Sequence, residues 1–161
     1  MSFPSILRMA LAATCLALPA SAQEIHILDS YARSASPTAT TGAAFMLIEN
    51  IGDADDRLIG ASSPAAKMVQ LHTHRENAEG VMQMVHVKEG FDLPAGETLV
   101  LQRGGDHVMF MGLTEPFAQD KTIPLTLSFE KSGDITLEIP VDLTPKPAED
   151  HGAAYGQGTG N

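Results

Sequence analysis

The 161-residue sequence predicts an all-β protein, an antiparallel β-sandwich or Greek-key barrel. Two observations carry that expectation: short apolar runs alternate with clusters of turn-forming residues, and no segment keeps a helical period. Ile25 and Ile27 alternate in the first run. The next, over 43–49, stops at Asn50-Ile51-Gly52-Asp53, a cluster rich in turn formers. Further strands are expected over 57–61, 67–73, 81–87, 98–102 and 107–112. The clearest alternation comes last: Ile123, Leu125, Leu127 and Phe129 share one face, as do Ile135, Leu137, Ile139 and Val141. Ser132-Gly133-Asp134 joins these two runs as a hairpin. Eight or nine short strands at this spacing fit one sandwich or barrel, with no internal repeat and no second domain.

The first 22 residues read as an export signal. Arg8 supplies a positive start, 9–19 is apolar, and Ala20-Ser21-Ala22 has the small residues of a cleavage site. The apolar run is shorter than the roughly 20 residues a membrane helix needs, so a free periplasmic protein is expected, beginning at Gln23 and not inserted in a membrane. Cys15 lies inside this segment behind Ala12-Ala13-Thr14, a poor lipoprotein site. The folded domain is expected over 23–143. Pro145 and Pro147 then end strand pairing, and a Gly- and Ala-rich tail over 144–161 is expected to be disordered.

Composition narrows the function. Ten basic against 20 acidic residues give a formal charge of −10, which argues against nucleic acid or an anionic membrane as partner. Removing residues 1–22 takes away the single Cys and leaves six Met and six His. No disulfide, thiolate ligand or cysteine nucleophile then remains, so stability rests on packing.

Four of those six Met fall between residues 82 and 111, with His72, His74, His86 and His107 in or beside the same stretch. The patterns are His72-Thr73-His74, Met82-Gln83-Met84 and His107-Val108-Met109-Phe110-Met111. Residues two apart on a strand share a face, so each pattern presents its His or Met side chains in one direction, a ligand set if the strands converge at one end of the sandwich. Thioether sulfur is neutral and polarizable and suits Cu(I); imidazole serves Cu, Zn, Fe and Ni alike. The mixed set favours Cu(I) over zinc and argues against calcium and magnesium. Without a Cys, a blue-copper centre is excluded. Met46 and Met68 are read as core packing, and His26 and His86 as hydrogen-bonded surface or rim residues.

These residues resemble the periplasmic copper chaperones of the PCu(A)C family, and the likeness runs over about 25–141. It is carried by Ile48-Glu49-Asn50, Asp56-Arg57-Leu58, Ala61-Ser62-Ser63-Pro64, Leu71-His72-Thr73-His74, Gly80-Val81-Met82-Gln83-Met84, Pro94-Ala95-Gly96, the run from Gly104 to Leu113 and Pro124-Leu125-Thr126-Leu127-Ser128-Phe129-Glu130. The family's metal motif is a His, a Met after ten residues, and His-x-Met after twenty-one more. Carried over, it implies His72, Met84, His107 and Met109 as metal ligands. Both gaps here are one residue longer, 11 and 22, which leaves Met82 as a rival to Met84 and His74 to His72. The turn over 75–80 and the stretch near 86–90 are where the extra residues are expected to be absorbed. Met111, past the end of the motif, is read as core or as support for the ligands.

The resemblance implies a cupredoxin-like β-sandwich that carries Cu(I) to the copper centre of a respiratory cytochrome oxidase subunit, with a thiol-bearing assembly protein as helper. Some members hold Cu(II) in a His- and Met-rich extension; the tail here offers only His151. The expected role is a copper chaperone and not an enzyme, since no Ser-His-Asp arrangement, Cys nucleophile or phosphate loop is found. Two rival readings are periplasmic copper buffering or resistance without a dedicated recipient, and a structural β-sandwich that binds no metal.

Overall fold

A computed structural model describes residues 24–144. The signal segment expected over 1–22, and all of the expected tail beyond Thr144, including His151, lie outside the described residues. Two antiparallel sheets face each other across one core, as the alternation predicts. Ten strands are present among the described residues: β1 (Ile25–Ser34), β2 (Thr41–Asn50), β3 (Asp56–Ser62), β4 (Ala66–Glu76), β5 (Met82–His86), β6 (Phe91–Leu93), β7 (Thr98–Leu101), β8 (His107–Leu113), β9 (Thr122–Phe129) and β10 (Gly133–Pro140). The larger sheet runs β1-β2-β8-β4-β5, with β7 also on β2; the smaller runs β10-β9-β3-β6.

The core between the sheets is the inward half of the alternating positions. Ala44, Met46 and Ile48 of β2, Leu71 of β4 and Val108 and Phe110 of β8 meet Leu58 of β3, Leu93 of β6, Leu125, Leu127 and Phe129 of β9, and Ile139 of β10. Each of the larger of these side chains contributes about 1.5–3 kcal/mol when fully buried. Met46 is core, as expected. Met68 is not: it is 49% exposed on the outer face of β4, because its neighbours Val69 and Leu71 have the parity that faces the core.

Two irregularities decide which side chains face outward. In β1 the register jumps from Leu28↔Leu47 to Tyr31↔Phe45, a bulge at which Asp29 takes a left-handed φ of 50°. The jump lets Ile25 and Ile27 before it, and Ala32 and Ser34 after it, all turn toward the core, and sets Tyr31 over Phe45 outside. The second irregularity concerns β7 and β8, which lie in tandem on one edge of β2: Leu101 pairs with Met46 and Val108 with Ala44. Only Phe45 of β2 stands between these pairs, so residues 102–106 leave the sheet as a loop, closed by Gln102 N donating to Asp106 O (2.8 Å) and Gly105 N to Gln102 O (3.1 Å).

β6 was not among the expected strands. Three residues between Gly90 and Pro94 are too few to show a period, and β3 supplies the pairing that makes them a strand. The β9–β10 turn is Glu130-Lys131-Ser132, with Gly133 at φ 75° already pairing with Phe129, two residues earlier than expected. The turn is held to β3 by buried Asp56, whose Oδ1 accepts from Arg57 N (2.7 Å) and Lys131 N (2.9 Å) and whose Oδ2 accepts from Ser132 N (3.0 Å) and Ser132 Oγ (2.6 Å).

Burial pushes the Asp56 carboxyl up, but the donors from Ser132, Lys131 and Arg57 outweigh it and hold the group below its usual 3.8. A carboxyl lowered in the folded state stabilises the fold above its unfolded pKa, and that contribution disappears as pH falls through the folded value. Asp56→Ala is therefore expected to cost about 2–3 kcal/mol at neutral pH. The difference from wild type should shrink below about pH 4. Urea unfolding at pH 7 and pH 3 measures both.

Candidate metal centre

The side chains singled out in the sequence share one surface, the outer face of the larger sheet. β4 sits between β8 and β5, with Leu71 opposite Val108, His72 opposite both His107 and His86, and His74 opposite Met84. Leu71 and Val108 face the core, so His72 and His107 face outward. Gln70 stands opposite Met109 and Met68 opposite Met111 on the same face. The three strands thus lie side by side in one sheet, with the ligand set on its face and not at one end of the sandwich. Met111 likewise lies on the outer face beside Met109 and is half-buried, not core.

Among the four residues carried over from the family motif, His72 and His107 are direct cross-strand partners, Met84 lies one row toward the β4–β5 turn, and Met109 one row the other way. Their burial differs: His107 is buried, His72 and Met109 are half-buried, and Met84 is 46% exposed. The rivals His74 and Met82 share the face; Met82 stands opposite Glu76, a row beyond Met84. The β4–β5 loop, residues 77–81, is one place where an extra residue was expected. Asn77 organises it, its Oδ1 accepting from Glu79 N and Val81 N.

Two rings hang on one carbonyl. His107 Nδ1 lies 2.9 Å and His74 Nδ1 3.3 Å from Gly105 O, in the loop that interrupts the β7–β8 line. A nitrogen facing a carbonyl oxygen must carry the proton, which leaves Nε2 of each ring as the bare, ligand-capable atom. His72 is arranged the other way. Its Nε2 lies 3.1 Å from Gln70 Oε1, while its Nδ1 is buried and has no hydrogen-bond partner. A buried imidazole nitrogen without a partner is costly, and a metal ion bound at Nδ1 would satisfy it.

The rings form a contiguous group. Centroids are 6.0 Å apart for His72 and His107, 5.7 Å for His72 and His86, and 5.2 Å for His74 and His107. His86 is exposed, as expected of a surface residue, yet it faces His72 directly. The alternation Met82, Met84, His86 is the sequence signal that puts it on the ligand face, one the reading as a surface or rim residue left unused. Gly105 and Gln70 carried no signal in the sequence, since one acts through a main-chain oxygen and the other through a register only the fold sets. Phe45 closes the β2 side, 6.2 Å from the His107 ring.

Burial pushes the His72 imidazole below its usual 6.5, and the neighbouring His107, His86 and His74 rings push the same way. Burial likewise holds His107 below 6.5, against the opposing pull of the Gly105 carbonyl and Asp106. Both are therefore neutral at neutral pH, the form in which an imidazole binds a metal. In 15N-labelled protein, His107 should show a protonated Nδ1 and a bare Nε2, and His72 and His107 should titrate below 6.5. A protonated Nε2 on His107 would contradict the arrangement.

An all-β sandwich of two antiparallel sheets is the architecture of PCuAC domains. The fold matches a solved structure described as the copper-bound PCuAC domain from PmoF2, with TM-score 0.61 and 26% identity over 75% of this chain and 94% of that one. It also matches the Cu(I) form of DR1885 from Deinococcus radiodurans, with TM-score 0.55 and 33% identity over 76% of this chain and 82% of that one. The chain belongs to the LpqE-like family, whose model, described as "Putative lipoprotein LpqE-like", matches residues 25–141. A relative from Leifsonia xyli subsp. xyli, described as "Putative lipoprotein Lxx21020", is 36% identical over 132 residues, 77% of each chain. The resemblance to the PCu(A)C family is thus borne out.

Proposed function

We propose that this protein is a copper carrier outside the cytoplasm that holds Cu(I) on the outer face of the larger sheet through His72, Met84, His107 and Met109. The observation that carries the proposal is the buried, partnerless Nδ1 of His72 beside a ring, His107, whose Nε2 is kept bare by a carbonyl on its other nitrogen. The donors are neutral nitrogen and sulfur, a set that suits Cu(I) better than Zn(II), Ca(II) or Mg(II). The copper-bound PCuAC domain from PmoF2 and the Cu(I) form of DR1885, both similar in fold, support the same metal.

The site lies open on a sheet face, so a partner can bring its own ligands to the ion before the carrier's let go. Such exchange fits delivery to a copper centre of a respiratory oxidase, with a thiol-bearing protein assisting. Replacing both thioethers, Met84→Leu with Met109→Leu, should weaken Cu(I) binding by about tenfold or more in a competition titration. In cells the same double variant should lower the copper content of cytochrome oxidase. Unchanged affinity would refute the ligand set, and unchanged oxidase copper would refute the recipient.

Export follows from the segment around Arg8 and Ala20-Ser21-Ala22, and the lipoprotein descriptions of the family and of its Leifsonia relative agree with a place beyond the cytoplasmic membrane. We place the mature N-terminus at Gln23. The intact mass of the exported protein should match a chain starting there; a lipid-modified Cys15 at the N-terminus would overturn it.

A further inference from the structure

We propose that the same face carries a second coordination set made of nitrogen alone, in which His72, His74, His86 and His107 hold Cu(II). The inference rests on the copper reading above and adds two residues, His74 and His86, that the sulfur-containing set does not use. Divalent copper favours imidazole nitrogen in a tetragonal arrangement, whereas thioether sulfur favours the monovalent ion. A face bearing four imidazoles beside two thioethers offers each oxidation state its own donors.

The ring spacing fits a shared ion. With a metal–nitrogen bond of about 2.0 Å and the ring centre a little over 1 Å further on, two imidazoles on one ion have centres no more than about 6.4 Å apart. The three neighbouring pairs, His74 with His107, His72 with His86 and His72 with His107, lie inside that limit at 5.2, 5.7 and 6.0 Å, which links the four rings in one row. Each of three rings also has a nitrogen to give: Nε2 of His74 and His107, whose Nδ1 atoms face Gly105 O, and Nδ1 of His72, which has no partner. Among the described residues no three His, Cys, Asp or Glu side chains stand, as placed, where they could hold a metal ion together. The set therefore closes on binding, by ring rotation about χ1 and χ2 at exposed His86. His72 and His107, held at the centre by burial and cross-strand pairing, serve both sets.

The two sets are separable by substitution. The full mature chain and its variants would be titrated with a Cu(II) salt in air and, separately, with Cu(I) under anaerobic reducing conditions against a chelator. Pulsed EPR would count the imidazoles on Cu(II). His74→Gln with His86→Gln should weaken Cu(II) binding at least tenfold and remove imidazole couplings, while Cu(I) affinity stays within about twofold. His86→Gln alone, at an exposed site that perturbs no packing, should give part of the same loss. Met84→Leu with Met109→Leu should do the reverse, sparing Cu(II). Unchanged Cu(II) affinity and couplings in the His74, His86 variant would overturn the inference. So would loss of the wild-type signal on His151→Gln, which would assign Cu(II) to the tail. Unchanged Cu(I) affinity in the thioether variant would instead sink the Cu(I) reading and leave the imidazole set standing.

Discussion

The register between β4 and β8 is the constraint on which the candidate centre depends. Leu71 opposite Val108 belongs to the core, and pleating then fixes His72 opposite His107 on the outside. A slip of one residue on either strand would bury an imidazole among Leu58, Leu125 and Leu127 and expose a core side chain. The cost of that exchange is several kcal/mol from the apolar side chain alone and more from an unpaired buried ring. Core packing on one face therefore sets the ligand geometry on the other. Two clefts elsewhere in the molecule, about 260 Å³ beside Phe117 and about 350 Å³ beside Arg57 and Asp92, are lined by none of the site's residues.

Within that frame the loop over 102–106 does a second job. It breaks a line of pairing along β2 that could have been continuous, and in doing so brings one main-chain oxygen under two imidazoles. A carbonyl is a neutral orienting partner. It fixes the tautomer without adding the charge that a carboxylate would bring, and so keeps the ring a milder donor. In a chain of formal charge −10 this matters, because a carboxylate in contact with the rings would favour their protonated form and harder cations. Burial of His72 and His107 favours neutral nitrogen at neutral pH, and at His107 it outweighs the opposing pull of the Gly105 carbonyl and Asp106.

Much of this was legible in the sequence, and the failures have a common cause. The strict alternation from Ile123 to Phe129 and from Ile135 to Val141 gave the last hairpin, and His-x-His, Met-x-Met and His-x-Met gave a shared face. What period two cannot say is which of the two faces is inside. Met68 was assigned to the core on residue type, but Leu71 decides its parity and turns it outward. For Met111, read as core or as support for the ligands, the core alternative fails for the same reason. The bulge at Asp29 lies beyond any reading of alternation, since it resets the parity within one strand. His86 is a different case: its parity with Met82 and Met84 was plain, and only its direct opposition to His72 required the strand register.

The side chains of the face also differ in how firmly they are held, and the difference is graded across the sheet. β8 and β4 are interior strands, paired on both edges, and they carry His107, His72 and Met109. β5 is a five-residue edge strand paired only with β4, and it carries Met82, Met84 and His86, all exposed. An edge strand of that length opens locally at lower free energy than the strands inside it. Under the copper reading, the ion would rest on a rigid half and be closed over by a loose one. Release would then begin at Met84, with His72 and His107 keeping hold until a partner's ligand arrives. A site enclosed in the sandwich could bind as tightly, but an incoming ligand would reach it only by disrupting the core.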